Sequence, residues 1–254
     1  MAIYLKKFET MSQYNAYTAD TTNFIKPNVS LTVDNSTVHY NPSSPVPPTP
    51  SHDYVEIGGV KWATMNVGAS SITDGGLYFA WAETSGYTAA QVGYDEGQKQ
   101  FSDSDYKYFE PSDSHFTKYN SSDGLVTLQL GDDAVIAAWG GNWRTPTISE
   151  YQALGEAVNS AWTADYQGSG VSGLVLTDKT DSSKVLFFPA CGFCGDGSVY
   201  NVDGDSFYWS SSLYTDNGDE EAYTMYFSPD DFYWDGGSYS YRYSGLVVRG
   251  VLDE

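Results

Sequence analysis

The sequence predicts an α+β domain of short strands, two helices near mid-chain and long loops, set behind a small β-hairpin module. Two apolar stripes at helical spacing lie close together between residues 132 and 158, and the second opens on the capping box Thr147-Ile-Ser-Glu150. Elsewhere the apolar runs are short and end on Gly, Asn, Asp or Ser, the punctuation of strands and turns. At 254 residues, 41% hydrophobic and 16% aromatic, the chain has material for a sizeable core in one large domain or two unequal ones.

Residues 1–41 read as a separate small module. Alternating runs at Ser30–Val33 and Thr37–Tyr40 flank Asp34-Asn35-Ser36, a hairpin signal. A hairpin of this size buries no core of its own, so the module is expected to serve attachment or oligomerisation. From Pro42 to Pro50 five of nine residues are proline, which makes 42–52 a stiff polyproline-type linker.

The main domain, 53–254, opens with strands at Tyr54–Ile57 and Val60–Met65 around Gly58-Gly59. Leu77–Thr84 reads as a further strand, and the polar stretch 85–123 as long loops without period. Val135, Ile136 and Trp139 make a one-turn helical stripe, and Tyr151, Leu154 and Val158 line the helix that follows Thr147. Gly170–Leu176 and Lys184–Phe188 supply buried strands. Phe207–Ser212, Ala222–Phe227 and Gly245–Val251 are the last ones.

The charge balance excludes several partners. Thirty-three acidic residues against 12 basic leave a net charge of −21, and from Cys191 onward twelve acids face two arginines. Nucleic-acid phosphates and anionic membrane surfaces both require Lys and Arg, so neither is expected as a partner. The same acidity has a plainer use in keeping a chain soluble. No apolar run reaches the length of a signal peptide or a membrane span, so synthesis in the cytoplasm without membrane insertion is expected. Any work outside the cell would then follow lysis or incorporation into a particle.

Cys191 and Cys194 spell Cys-Gly-Phe-Cys, but Gly-Asp-Gly follows where a redox pair needs a helix start. Two thiols do not close a zinc site either, and they read as one packed and one surface thiol. His39, His52 and His115 fall in linker or loop sequence, and no Ser-His-Asp set emerges. The chain is not expected to be an enzyme.

The segment 195–246 has the most distinctive composition. Nine Tyr lie between Ser198 and Tyr243 among Ser, Asp, Gly and Asn, and no Lys or Gln follows Lys184. That is too aromatic for a disordered tail and too polar for a plain core. Tyr offers a stiff amphipathic contact while Ser, Gly and Asn adapt their hydrogen bonds, the mixture recognition surfaces favour. The bland alternative is a loop-rich β region whose tyrosines half-bury. Trp139, Trp143 and Trp209 read as core anchors, since an indole buries so much surface. Arg144 reads as an anion site or an ion-pair partner and Arg249 as structural, while Arg242, between two tyrosines, reads as exposed.

Three motif clusters carry a family resemblance: Trp139-Gly-Gly-Asn-Trp-Arg-Thr-Pro-Thr147, Phe207-Tyr-Trp-Ser-Ser-Ser212 and Tyr241-Arg-Tyr-Ser-Gly-Leu-Val-Val-Arg-Gly250. With Val55-Glu-Ile-Gly-Gly-Val-Lys-Trp62 and Tyr78-Phe-Ala-Trp-Ala-Glu-Thr84 ahead of them, residues 53–252 resemble C-type-lectin-fold domains of the fibrobacter-paralogous type, a group similar to formylglycine-generating enzymes. The resemblance implies that the first and last strands of the domain pair and that its long loops present a ligand site. Within that fold the C-terminal stretch is similar to the variable region of target proteins of diversity-generating retroelements. There, adenine-directed mutagenesis turns AAY codons into NNY, which never encodes Lys, Gln, Glu, Met or Trp. Trp209, Glu220, Glu221, Met225 and Trp234 would then be scaffold.

The resemblance implies a ligand- or receptor-binding protein with a hypervariable surface, similar to host-recognition proteins on phage tails. A protein or glycan receptor on a cell surface is the expected partner. A homotrimer and attachment to a virion through 1–41 are implied by the same likeness, as is a phage of gut Bacteroidales. The expected contact residues are Phe207, Tyr214, Asp216, Asn217, Asp219, Tyr233, Asp235, Tyr239, Tyr241 and Tyr243, all of NNY-encoded types, converging on one exposed face. Two other readings stand beside it. One is a lectin or adhesin of fixed carbohydrate specificity, since Trp and Tyr stack on sugars. The other is a formylglycine-generating-type oxidase, disfavoured because Tyr239–Val248 contains no Cys. No cofactor is expected. Asp203-Gly-Asp205 and Asp230-Asp231 offer oxygens suited to Ca²⁺, but the alternating loop closed by a bidentate Glu is missing. The Glu-Pro-Asn and Trp-Asn-Asp triplets of some lectins of this fold do not occur either.

Overall fold

The structure, a computed structural model, describes residues 52–254 apart from 113, 217 and 235, together with the strand backbones at Ser30–Val33 and Ser36–His39. The chain forms two compact units, Met1–Ser51 and His52–Glu254. In the first, β1 (Ser30–Val33) and β2 (Ser36–His39) pair antiparallel, with Ser30 opposite His39.

The second unit is α+β, with small antiparallel sheets and, among the described residues, two α-helices. It opens on the hairpin of β3 (Tyr54–Ile57) and β4 (Val60–Asn66). Gly58 and Gly59 between them take φ of 60° and 78°, the left-handed pair a two-residue turn requires. A two-residue ribbon, β5 (Phe109–Glu110) with β6 (His115–Phe116), interrupts the long loops that follow.

Helix α1 (Ala134–Trp139) starts on Asp133, whose carboxylate accepts from the Val135 and Ile136 N–H groups. After β7 (Trp143–Arg144), Thr147 and Glu150 close the expected capping box on α2 (Ile148–Ala157). That helix runs directly into β8 (Val158–Thr163). With β9 (Gly173–Asp178) and β10 (Val185–Pro189) it makes a sheet of order β10-β9-β8. Next comes the small hairpin of β11 (Phe193–Gly195) and β12 (Ser198–Tyr200). The C-terminal sheet pairs β13 (Ser206–Leu213) with β14 (Glu221–Phe227). The far edge of β14 carries both β15 (Phe232–Tyr233) and β16 (Tyr239–Tyr241). Finally β17 (Arg249–Leu252) returns between β4 and β7, giving the order β3-β4-β17-β7.

Two expected strands need correction. Leu77–Thr84 is not a strand: it holds only isolated bridges, Tyr78 to Tyr87 and Phe79 to Leu246, and Ala82 turns the chain at φ 65°. Its apolar run is instead a buried loop, because Phe79, Ala80 and Trp81 all point into the core. The strand expected at Gly245–Val251 shortens to Arg249–Leu252, with bridges at Gly245, Leu246 and Val247 tying the approach to three different segments.

Two apolar clusters fill the unit. One gathers Trp62, Tyr151, Phe188, Tyr208 and Phe227, the other Phe79, Trp81, Val135, Trp143 and Trp209. Trp139, Trp143 and Trp209 are buried anchors, as expected. Two indoles brace each other's surroundings: Trp209 Nε1 donates to the Phe79 carbonyl at 2.7 Å and Trp81 Nε1 to the Ser210 carbonyl at 2.8 Å.

Candidate ligand-binding surface

The strand register of the C-terminal sheet builds a row of rings. Phe207 on β13 lies opposite Tyr226 on β14, which lies opposite Tyr233 on β15. Ring centroids are 4.6 Å apart for Phe207 and Tyr226 and 5.7 Å for Tyr226 and Tyr233. The β11–β12 hairpin extends the row, since Phe193 meets the Phe207 ring edge-on at 5.7 Å and stacks on Tyr200 at 5.2 Å. Such cross-strand aromatic pairs are the stabilising unit of a sheet. The five rings form one continuous ladder.

An open groove of about 350 Å³ runs beside this ladder, with Phe193, Phe207, Tyr226, Tyr233 and Tyr239 as its aromatic lining. Asn201, Asp205 and Ser238 are its polar members. The Asn201 amide donates to Asp205 Oδ2 at 3.0 Å, whereas the buried Oδ1 has no hydrogen-bond partner among the described residues. Burial pushes the Asp205 carboxyl above the usual carboxylate range against the opposing effect of Asn201.

Two further ring groups lie in the same C-terminal stretch, one of them sharing Tyr239 with the groove. Tyr239 on β16 stacks on Tyr214 at 4.2 Å with planes 14° apart, and Tyr223 meets Tyr214 edge-on at 5.1 Å. Tyr241 and Tyr243 stack at 5.1 Å with planes 7° apart. Within β16, Tyr239 and Tyr241 are exposed and Ser240 is half-buried, the alternation a strand imposes.

Of the ten expected contact residues, Tyr233, Tyr239 and Tyr241 are exposed at 42–46% and Asp216 is also exposed. Phe207, Tyr214, Asp219 and Tyr243 are half-buried, while Asn217 and Asp235 lie outside the described residues. The aromatic ones fall into three neighbouring groups, with Tyr239 shared between the groove and the Tyr214 stack. Seven described lining or ladder residues were outside the set expected from sequence: Phe193, Tyr200, Asn201, Asp205, Tyr226, Gly237 and Ser238. The Asp196-Gly197 pair, at φ 45° and 65°, is a hairpin signal that would have placed Phe193 and Tyr200 across from each other.

Beneath the surface Arg242 corrects the expectation of an exposed arginine. It is fully buried, and its guanidinium donates to the carbonyls of Asp219 at 2.8 Å, Lys118 at 2.8 Å and Tyr119 at 3.2 Å. Arg242 follows β16 in a turn, where Tyr241 before it is exposed and Tyr243 after it half-buried. Arg249 is structural as expected, donating to Asn66 Oδ1 at 2.7 Å and to the Ala63 and Phe187 carbonyls. Arg144 is an ion-pair residue, forked onto both Glu150 and Asp253.

Both thiols are buried, which corrects the expectation of a surface cysteine, and burial pushes each up to about 12. Neither is poised as a thiolate nucleophile. Among the described residues no three His, Cys, Asp or Glu converge as metal ligands, and no helix is long and apolar enough to cross a membrane. What the arrangement offers is a broad amphipathic contact: stiff rings, phenol hydroxyls, carboxylates and an open groove. Comparison with known proteins returns no matching family model, no matching curated protein and no matching solved structure.

Proposed function

We propose that the chain is a receptor-binding protein with a C-type-lectin-type scaffold, whose C-terminal surface is diversified in the manner of retroelement target proteins and displayed outside a cell, on a phage particle. Its ligand is a protein or glycan on a host surface, and it performs no catalysis. The observation that carries this reading is a set of exposed rings on β15 and β16 beside a buried base on β13 and β14. Trp209 and Met225, which NNY codons never encode, are 2% and 0% exposed. Tyr233, Tyr239 and Tyr241, which they do encode, stand 42%, 43% and 46% exposed. A rigid base under replaceable rings lets specificity change at little cost in order. The two helices and the long loops support the lectin-type scaffold, whereas the last strand, β17, pairs with β4 and β7 and not with the first strand of the domain, β3, against the pairing the resemblance implies. The buried, unreactive thiols support the absence of oxidase chemistry. Display of several copies on a particle would raise a modest single-site affinity.

A lectin of fixed specificity is the second reading, favoured by the ring-lined groove with its Asn201 amide and Asp205 carboxylate. Two measurements separate them. The DNA flanking the gene is expected to carry a near-copy of the segment encoding 195–246, differing chiefly at adenines, beside a reverse-transcriptase gene. In addition, a library randomised at Tyr214, Asp216, Tyr233, Tyr239 and Tyr241 is expected to keep melting temperatures near that of the parent, since surface changes cost roughly ±0.5 kcal/mol. Absence of any repeat, or a library that mostly unfolds, would sink the diversified-surface reading.

A further inference from the structure

The groove between β11, β13 and β15 has a charge signature beyond its aromatic character. Its aromatic lining is Phe193, Phe207, Tyr226, Tyr233 and Tyr239, and among the described residues neither Lys nor Arg contributes to it. Its one carboxylate among the described residues, Asp205, has Oδ2 bonded to the Asn201 amide, while Oδ1 is buried and without a partner among the described residues. A partly desolvated carboxylate without a counter-charge is costly, and a cation is the partner that relieves it. From Cys191 onward the sequence supplies two cations, Arg242 and Arg249, both fully buried and hydrogen-bonded through every guanidinium nitrogen to protein oxygens. The region therefore places no cation of its own at the groove.

We infer that this groove binds a cationic side chain, an arginine or lysine presented by a protein receptor, between its tyrosine rings and the Asp205 carboxylate. The inference rests on the receptor-binding reading and narrows it to a basic protein epitope. Aromatic faces carry a negative quadrupole that attracts a cation within about 6 Å of the ring centre. A guanidinium does this best, because its plane stacks on a ring while its N–H fork reaches a carboxylate. Neutral sugar hydroxyls could donate to Asp205 as well, but they would leave its charge uncompensated in a partly desolvated site. The surrounding field points the same way. Burial first, and then nearby groups including Asp216 and Glu221, raise the Tyr214 phenol. Burial, then Tyr241, Asp103, Asp196 and Glu220, push Tyr243 up to about 12. Carboxylates thus crowd the neighbouring ring groups too.

The test is titration of the full chain with N-acetyl-argininamide, its neutral isostere N-acetyl-citrullinamide, and methyl glucoside and galactoside, followed by calorimetry and by tyrosine ring resonances. The arginine probe is expected to bind saturably and to shift the Tyr233 and Tyr239 signals, with the citrulline probe weaker by about ten-fold or more, since hydrogen bonds to charged groups are about twice as strong as neutral ones. Asp205→Asn is expected to weaken the arginine probe about five-fold or more. Asp181→Asn, which removes the same charge from the turn between β9 and β10, should leave it unchanged. Should Asp205→Asn fail to fold, as judged by near-ultraviolet dichroism, Tyr233→Ala replaces it, with a roughly three-fold loss expected from removing one exposed cation–π face. Equal binding of the citrulline probe, undiminished binding by the variant used, or binding of a glycoside alone would overturn the inference. Those outcomes leave the flanking-DNA and library results untouched, so failure here and failure of the receptor-binding reading are told apart.

Discussion

At the residue scale Arg242 ties together distant parts of the chain beside the C-terminal sheet. Its guanidinium lies 4.5 Å from the Phe116 ring centre and 5.3 Å from that of Trp81, and its Nε donates to the Tyr106 hydroxyl at 3.2 Å. Through the carbonyls of Lys118, Tyr119 and Asp219 it joins the loop after β6 to the turn between β13 and β14. Arg242→Ala would strand three carbonyls, and each unsatisfied buried acceptor costs about 1–3 kcal/mol. A loss of about 3 kcal/mol or more is therefore expected in chemical denaturation. Arg242→Lys keeps the charge but not the fork, and is expected to recover only part of that loss. A denaturation midpoint unchanged in Arg242→Ala would show that water takes over those carbonyls. Burial of this residue was not legible in the sequence, because Arg242 sits in the turn after β16, where no strand period assigns it a side. The general rarity of buried arginine argued against burial, and only the ring of carbonyls around it reverses the argument.

At the scale of elements, α2 shows how a local signal is tied into the whole. Thr147 and Glu150 form the capping box read from sequence, and Glu150 also receives Arg144 at 2.6 and 2.8 Å. Arg144 in turn reaches Asp253 just past β17, so one guanidinium joins β7, α2 and the chain's last strand. Burial pushes the Glu150 carboxyl up, but Arg144 and the Thr147 hydrogen bonds outweigh it and hold the group below its ordinary value of 4.5. A carboxyl depressed in the folded state contributes stability that is fully present above that ordinary value and is lost as pH falls through the lowered one. Glu150→Gln is accordingly expected to cost about 1 kcal/mol at pH 7, the usual worth of a cap. The gap between the variant and the parent should close as pH falls below 4.5. Parallel stability curves from pH 7 to pH 3 would show that Glu150 acts by shape alone. By contrast, the run Leu77–Thr84 misled because an apolar stretch of strand length can equally be a loop packed on all sides.

On the scale of the whole molecule, the proline run from Pro42 to Pro50 separates a module without a core from a unit with two apolar clusters. Limited digestion with subtilisin is expected to cut between residues 42 and 51 and to leave a fragment starting near His52 whose melting temperature matches that of the parent. A fragment that loses its cooperative transition would show that the N-terminal module takes part in the fold. The net charge of −21 gives the chain a field that attracts cations and repels anions.

The sequence by itself determined the α+β class, the capped helix after Thr147, the Gly58-Gly59 hairpin, the tryptophan anchors and the tyrosine-rich composition of the last sixty or so residues. Each of these depends on residues within a few positions of one another, where period, turn chemistry and volume speak for themselves. Tertiary structure decided the rest. Pairing of β14 with β13 on one edge and with β15 and β16 on the other brings Phe207, Tyr226 and Tyr233 into one row. It also brings Asp205, from the loop before β13, to the same groove. No local pattern encodes such meetings, because register between strands distant in the chain is chosen by which side chains the core can bury together.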